Sequence, residues 1–143
     1  MRSKCVLIAE PLRSIMEAMK ALLKSSYAPK IRVVFEPTTG KVNVKRLADV
    51  LDVSVRKLAP GVGVTEGAIR QKPTADRAQP GARKMVDVFQ HALDVIGDWT
   101  DTMVWMQTPR KDLSGNSPLT LIVSGRAEVV SDLIENIESG QSN

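Results

Sequence analysis

Apolar and polar positions follow the period of an α-helix along most of this chain. Between Glu10 and Lys24 the apolar side chains recur every three or four residues, which predicts one amphipathic helix. Pro11 suits its first turn, where a missing amide proton costs little. The apolar stripe consists of Leu12, Ile15, Met16, Met19, Leu22 and Leu23. We expect this stripe to pack on the rest of the protein or to join two copies of it.

One stretch has a β-favouring pattern instead. Residues 31–35, IRVVF, are rich in β-branched and aromatic side chains, and Glu36-Pro37 ends the run. Residues 38–40, TTG, have the composition of a turn, after which Val42 and Val44 can return as a second strand. The pattern therefore allows a short β-hairpin over residues 31–44, which would have to pack on the helices or pair across a dimer.

Three short helices are predicted between residues 43 and 72. Asn43, Ser54 and Thr65 are of the types that cap helix N-termini, and each precedes a stretch with apolar periodicity. The predicted helices cover residues 44–51, 55–59 and 66–72. Pro73 ends the third of them. Three short helices this close together indicate a helix-turn-helix unit.

The register of that unit depends on a small residue, a turn residue and an apolar anchor. Ala59, Gly63 and Ile69 stand at offsets 0, 4 and 10 and define the favoured register. Arg and Gln on the recognition helix can make paired hydrogen bonds to guanine and adenine edges. The candidate DNA-binding residues in this register are Thr65, Glu66, Arg70, Gln71 and Lys72, and Arg77 in the connection that follows can hold a phosphate without reading sequence.

Two features leave other interpretations open. A second register places Ala48, Asp52 and Leu58 at the same offsets, with Asp52 in place of the turn glycine. Pro60-Gly61 is expected to cut the first helix of the favoured unit short, because proline removes a hydrogen bond and clashes with the preceding turn. The same residues therefore also fit a three-helix scaffold that no longer reads DNA.

The second half of the chain predicts three longer helices. The first starts at Pro80 and ends at Gly97, and it is apolar over so much of its circumference that it should lie at the centre of the fold. The next begins at Asp98 and ends before Pro109. The last runs over residues 126–139, with an apolar inner face and an acidic outer face.

Charge is distributed unevenly along the chain. Residues 1–84 carry 17 Lys and Arg against 7 Asp and Glu, a net charge of +10, whereas residues 85–143 carry 3 against 9, a net charge of −6. A basic half suits a polyanion that the acidic half would repel, so two surfaces with two partners is the simplest interpretation. The sign changes next to residues 73–83, whose Pro, Gly, Ala and Arg content predicts a flexible connection.

The composition offers little for catalysis. Cys5 is the only cysteine among 143 residues, which excludes an intramolecular disulfide and a multi-cysteine metal site. No apolar run reaches the roughly 20 residues of a membrane helix, and residues 5–9 are too few for a signal peptide. The single histidine, His91, is not part of a zinc-binding pattern, and no phosphate loop is present. We therefore expect a cytoplasmic protein that is not an enzyme and has no catalytic residue, cofactor, metal or membrane contact.

A run of fixed spacings between Trp105 and Gly125 resembles a known signature. The segment WMQTPRKDLSGNSPLTLIVSG has the pattern W-x3-P-x3-L-x-G-x2-P-L-x-L-I. This pattern is similar to the C-terminal signature of the Xre/MbcA/ParS antitoxins, the partners of RES-domain toxins. The matching positions are Trp105, Pro109, Leu113, Gly115, Pro118, Leu119 and Gly125.

The resemblance implies an antitoxin that blocks the active site of an NAD-consuming toxin with a RES fold and autoregulates its operon. From the resemblance together with the helical pattern, we expect a mainly α chain with an N-terminal extension (1–40), which the resemblance does not cover, a helix-turn-helix-like DNA-binding part with its linker (41–79) and a small helical toxin-binding domain (80–143). Its partners would be the toxin and operator DNA, and it would act as a homodimer in the cytoplasm, associated with the nucleoid when bound to DNA. The candidate toxin-binding residues are Lys111, Ser114, Gly115, Asn116, Arg126, Glu135 and Glu138.

Two other functions fit the same features. One is a stand-alone helix-turn-helix transcriptional regulator without a toxin, whose C-terminal domain only dimerises. The other is a protein-interaction adaptor that has lost DNA binding, in agreement with a helix broken at Pro60-Gly61. An adjacent toxic gene would separate the antitoxin from both, and salt-dependent promoter binding would separate the regulator from the adaptor.

Overall fold

Short and long helices make up residues 27–140, the part of the chain that the computed structural model describes. Two short 3-10 helices, Asp76–Ala78 and Lys111–Leu113, precede the α-helices that begin at Gln79 and at Pro118. The predicted mainly α class is confirmed, and the helix predicted from Glu10 lies outside the described residues. The α-helices are α1 (Pro29–Arg32), α2 (Val44–Leu51), α3 (Val55–Val62), α4 (Glu66–Gln71), α5 (Gln79–Ile96), α6 (Trp99–Gln107), α7 (Pro118–Val123) and α8 (Ala127–Glu138).

The β-hairpin allowed over residues 31–44 is not formed. Helix α1 occupies the start of that range, and its turn points Ile31 and Val34, three residues apart, into the core. Phe35 and Val42 form a single antiparallel bridge, and residues 27–140 contain no strand. Burial of the two aliphatic side chains on the helices outweighs the β propensity of this short run.

Side-chain caps start the three helices of the central region, as predicted. Asn43, Ser54 and Thr65 each accept a hydrogen bond from the backbone amide three residues later, at 3.2, 3.1 and 3.1 Å. Each bond satisfies an amide that the helix itself leaves unpaired. Helix α2 has the predicted bounds, and α4 ends one residue earlier than predicted.

The prediction that Pro60-Gly61 cuts the helix short is wrong. Helix α3 continues to Val62 and ends at Gly63, which adopts the left-handed conformation with φ of 74°. Pro60 removes one hydrogen bond inside the helix, but packing of the flanking turns holds the helix together. The buried side chains of α3 are Leu58, Ala59 and Val62.

Gly61 lies where α3 meets the C-terminal half of the protein at backbone distance. A Cβ atom added to Gly61 would lie 2.5 Å from the carbonyl oxygen of Val123 in α7 and would also clash with Cε of Met85 in α5. A Cβ atom added to Gly81 in α5 would lie 2.7 Å from the carbonyl oxygen of Gly61. Since real Cβ atoms do not come this close to backbone atoms, only glycine allows the observed packing.

Residues 73–83, predicted to be a flexible connection, are largely helical. The 3-10 helix leads directly into α5, and Ala82 is fully buried. The side-chain amide of Gln79 pairs with both backbone polar groups of Val42, accepting from its amide at 2.7 Å and donating to its carbonyl at 2.9 Å. Residues 73–83 show no apolar periodicity because their side chains are small. The same small size allows the segment to pack closely on the core.

Helix α5 lies at the centre of the C-terminal half, as predicted, and packs on α3, α6 and α8. Its buried side chains are Ala82, Met85, Val86, Val88, Phe89, Gln90 and Ala92. Helix α7 was not predicted, because a run that is apolar on all sides has no helical period. Five of its residues are buried, namely Pro118, Leu119, Leu121, Ile122 and Val123.

Candidate nucleic-acid and partner interfaces

The junction of α3 and α4 contains the three positions of the favoured register. Ala59 is 6% exposed and Ile69 is fully buried. The amide of Gly63 donates to the carbonyl of Ala59 at 3.1 Å, and Gly63 turns the chain in the left-handed conformation. Nothing lies within 4 Å of the place where a Cβ of Gly63 would be, so the backbone conformation, and not crowding, favours glycine there.

The second register is also compatible with the local geometry. Ala48 and Leu58 are buried, and Asp52 takes the left-handed conformation with φ of 57°. Aspartate tolerates this conformation better than most residues do, so the turns alone do not separate the two registers. Their candidate recognition helices differ in exposure: α3 is held against α5 and α7, whereas α4 packs mainly on α2 and α3.

The predicted DNA-binding side chains lie on α4 and directly after it. Gln71 and Lys72 are exposed at its C-terminal end. Thr65 and Arg77 line the same depression of about 280 Å³ beside the turn between α3 and α4. Glu66 and Arg70 form an ion pair with 2.8 Å between Oε2 and Nη2.

Sequence reasoning missed three exposed cations on α2 and α3. Lys45, Arg56 and Lys57 have no acidic group within 4.0 Å among residues 27–140. Arg56 and Lys57 lie in the first turn of α3, where the unpaired amides of the helix also favour an anion. Their position directly after the cap Ser54 is a signal that the sequence already contained.

The segment that carries the signature folds into a tight turn beside Trp105. The guanidinium of Arg110 lies 5.6 Å from the Trp105 ring centre and binds both carboxylate oxygens of Asp112, at 2.9 and 3.0 Å. The hydrogen bond from Arg110 holds the pKa of the Asp112 carboxyl below its usual value. Ser114 and Gly115 follow in the left-handed conformation, with φ of 58° and 83°. Trp105 and Gly115, two positions of the signature, thus take part in building this turn.

The predicted toxin-binding residues of the turn differ in accessibility. Lys111, Ser114 and Gly115 are exposed, whereas Asn116 is half-buried and donates from Nδ2 to the carbonyl of Leu113 at 3.1 Å. Asn116 therefore holds the turn together, and the three exposed residues present its outer surface. Among residues 27–140, no hydrogen bond or ion pair joins this turn to the predicted residues Arg126, Glu135 and Glu138.

Helix α8 carries four exposed carboxylates, two of which bind α5. Glu128 pairs with Lys84, whose hydrogen bond lowers the pKa of Glu128 from its usual value. Glu138 lies 3.0 Å from Nε2 of His91. Asp132 and Glu135 have no basic group within 4.0 Å among the residues that the structure describes, and Arg126, just before α8, is exposed. Glu135 is therefore freer to bind a partner than Glu138 is.

Between residues 27 and 140, no three or more His, Cys, Asp or Glu side chains are placed to hold a metal ion together. No helix in this range is long and apolar enough to cross a membrane. Its buried polar side chains, Gln90 and Thr102, are both hydrogen-bonded. The described interior thus leaves no unpartnered polar group that would point to a bound ligand.

Comparison with known proteins does not place the chain in a family, since no family model matches it and neither a curated protein nor a solved structure matches it significantly. The resemblance to the Xre/MbcA/ParS antitoxins therefore rests on the residues of the chain itself.

Proposed function

We propose that this protein is the antitoxin of a type II toxin-antitoxin pair. It blocks the active site of a RES-domain, NAD-consuming toxin with its C-terminal half, and it regulates its own operon by binding DNA through α3 and α4. The observation that carries the proposal is the separation of charge on one folded body. Residues 44–72, which contain α2–α4, carry six Lys and Arg against three Asp and Glu, whereas α8 carries four exposed carboxylates and no Lys or Arg.

The first half has features that suit DNA binding. Helix α4 is peripheral, so it can enter a major groove without unpacking the core. Arg56, Lys57 and Arg77 are exposed cations that can hold phosphates without reading sequence. The adaptor interpretation was based on a helix broken at Pro60-Gly61, but α3 is continuous through Pro60. Binding as a homodimer would match paired half-sites in the operator.

The second half has features that suit the toxin. A RES active site that holds the phosphates of a nucleotide is expected to be basic, and the exposed carboxylates of α8 complement it. Lys111, Ser114 and Gly115 offer a second contact on the outer surface of the signature turn. Such an antitoxin acts in the cytoplasm and on the nucleoid, and it needs no cofactor of its own.

A stand-alone regulator is the second candidate, and one observation favours it. Lys84 and His91 on α5 bind Glu128 and Glu138, so part of the acidic surface of α8 serves packing between these two helices. In this candidate the acidic residues of α8 serve only that packing, no toxin is needed, and the C-terminal half has dimerisation as its function.

Co-expression with the neighbouring reading frame tests the proposal. The antitoxin should rescue growth arrest and co-purify with the toxin.

Glu135→Lys should weaken toxin binding about tenfold and spare the operator, because it reverses an unpaired charge on α8. Arg56→Glu should weaken operator binding about tenfold and spare the toxin, because it reverses a phosphate contact. Absence of both toxicity and complex would overturn the antitoxin and leave the regulator.

A further inference from the structure

The ion pair on α4 joins the carboxylate of Glu66 to one edge of the Arg70 guanidinium. Oε2 of Glu66 accepts from Nη2 of Arg70 at 2.8 Å and from Nε at 3.3 Å. One edge of the guanidinium is therefore bound to the carboxylate. The Arg70 side chain stays 59% exposed, and that of Glu66 is 36% exposed.

The other edge of the Arg70 guanidinium remains available to donate hydrogen bonds. Arg70 has five N–H donors in a rigid plane, and the edge formed by Nη1 and Nη2 still presents two parallel N–H groups. O6 and N7 of guanine accept such a pair in the major groove, which is the commonest specific contact between a protein and a base. With one edge fixed by Glu66, the free edge has a defined direction.

That direction suits a recognition helix. Glu66 is the first residue of α4, one turn before Arg70, so the ion pair draws the arginine toward the N-terminal end of the helix. A recognition helix contacts base edges with its N-terminal residues. The two residues that follow Glu66 are small and exposed: Gly67 has no side chain, and Ala68 has only a methyl group. Arg70 can therefore reach past them into the groove.

From this geometry we propose that Glu66 is a positioning residue, which holds Arg70 as the reader of one guanine in each operator half-site. The inference rests on the DNA-binding half of the proposed function. Glu66 itself repels phosphates, so it lowers affinity for DNA in general while it sharpens the choice of base. A carboxylate that only stabilised the short helix would have no influence on base choice.

Selection of full-length protein on randomised duplex DNA, followed by salt titration, tests the inference. Wild-type protein should select one guanine per half-site, and Arg70→Ala should lose that preference by about tenfold or more. Glu66→Ala should lower the preference about 2- to 10-fold, because the arginine is no longer preorganised. The same variant should bind random DNA more tightly than wild type. Glu66→Gln keeps the hydrogen bond and loses the charge. Its guanine preference should therefore lie between that of wild type and that of Glu66→Ala.

Lys72→Ala is the matched control, since Lys72 is exposed beside Arg70 and has no acidic group within 4.0 Å among residues 27–140. It should weaken binding to all sequences equally and keep the guanine. An unchanged guanine preference in Arg70→Ala or Glu66→Ala, or a wild-type operator without the guanine, would overturn the inference. Failure of wild-type protein to bind any DNA would instead overturn the DNA-binding half of the proposed function.

Discussion

The surfaces of α2–α4 and of α8 differ in charge, whereas the side chains beneath them belong to one core. Lys45, Arg56 and Lys57 are exposed on the first surface and Asp132 and Glu135 on the second. Below them a single cluster of buried residues extends from α2 to α8. Helices α3 and α7 meet at Gly61. Because Gly61 has no side chain, α3 can lie against the backbone of α7 there.

Substitutions on the charged surfaces and substitutions in the shared core should therefore have different effects. A charge on either surface can change one interaction alone, because exposed charges far apart are screened from each other. A change at the shared interior should affect both halves together, because close-packed interiors transmit strain. The functional division of the chain into a DNA-binding part (41–79) and a toxin-binding domain (80–143) stays a prediction.

The largest effect is expected for Gly61→Ala. The new methyl group would overlap the Val123 carbonyl, which is backbone and cannot move aside without shifting α7. We expect the free energy of unfolding to fall by about 3 kcal/mol, the upper range of overpacking. Urea unfolding of the full chain, followed by circular dichroism, measures this.

Gly67→Ala is the control for that substitution. Gly67 also lies within a helix, but nothing lies within 4 Å of the place where its Cβ would be. Alanine there should raise the free energy of unfolding by about 0.5–1 kcal/mol, because it favours the helix without a clash. Equal effects of the two alanines would contradict the close approach of α3 and α7.

A smaller effect is expected for Gln79→Ala, which acts on the link between the loop before α2 and the start of α5. The substitution leaves the amide and the carbonyl of the buried Val42 without partners. The free energy of unfolding should fall by about 2 kcal/mol. Gln71→Ala, which removes the same side chain from the exposed end of α4, should change stability by less than about 0.5 kcal/mol. A stable Gln79→Ala protein would show that the loop is held by other contacts.

The smallest effect concerns the pair of Lys84 and Glu128 between α5 and α8. Because the pKa of Glu128 is lowered in the folded protein, its stabilising effect is full above the pKa of the unfolded chain. The effect is lost as the pH falls through the lowered value. The stability difference between wild type and Lys84→Ala should therefore be present near neutral pH and disappear in acid.

Urea midpoints measured at a series of pH values test this dependence. Lys111→Ala removes an exposed lysine that has no acidic group within 4.0 Å among residues 27–140, and it should show no such trend. A difference for Lys84→Ala that persists in acid would mean that its methylene groups, and not its charge, stabilise the contact.

Local features of this protein could be predicted from the sequence where neighbours along the chain decide them. The caps Asn43, Ser54 and Thr65 act on amides three residues away, and Gly63 sets its own backbone angles. The ion pair of Glu66 and Arg70 is equally local, since it spans one helical turn, but the sequence analysis did not predict it. The DNA-binding role of the positions on α4 stays a prediction, and the exposed cations Arg56 and Lys57 of α3 were overlooked.

The starts of α2, α3 and α4 and the division of charge along the chain could therefore be inferred from the sequence. Tertiary structure decided whether Pro60-Gly61 breaks a helix, whether residues 31–35 form a strand and whether residues 73–83 are helical. In each case the outcome depends on atoms far away in sequence, such as the Val123 carbonyl against Gly61 and the Val42 backbone against Gln79. Burial and close packing outweigh local propensities, which are about 1 kcal/mol for most residues and about 3 kcal/mol for a proline within a helix, so those segments follow their distant neighbours.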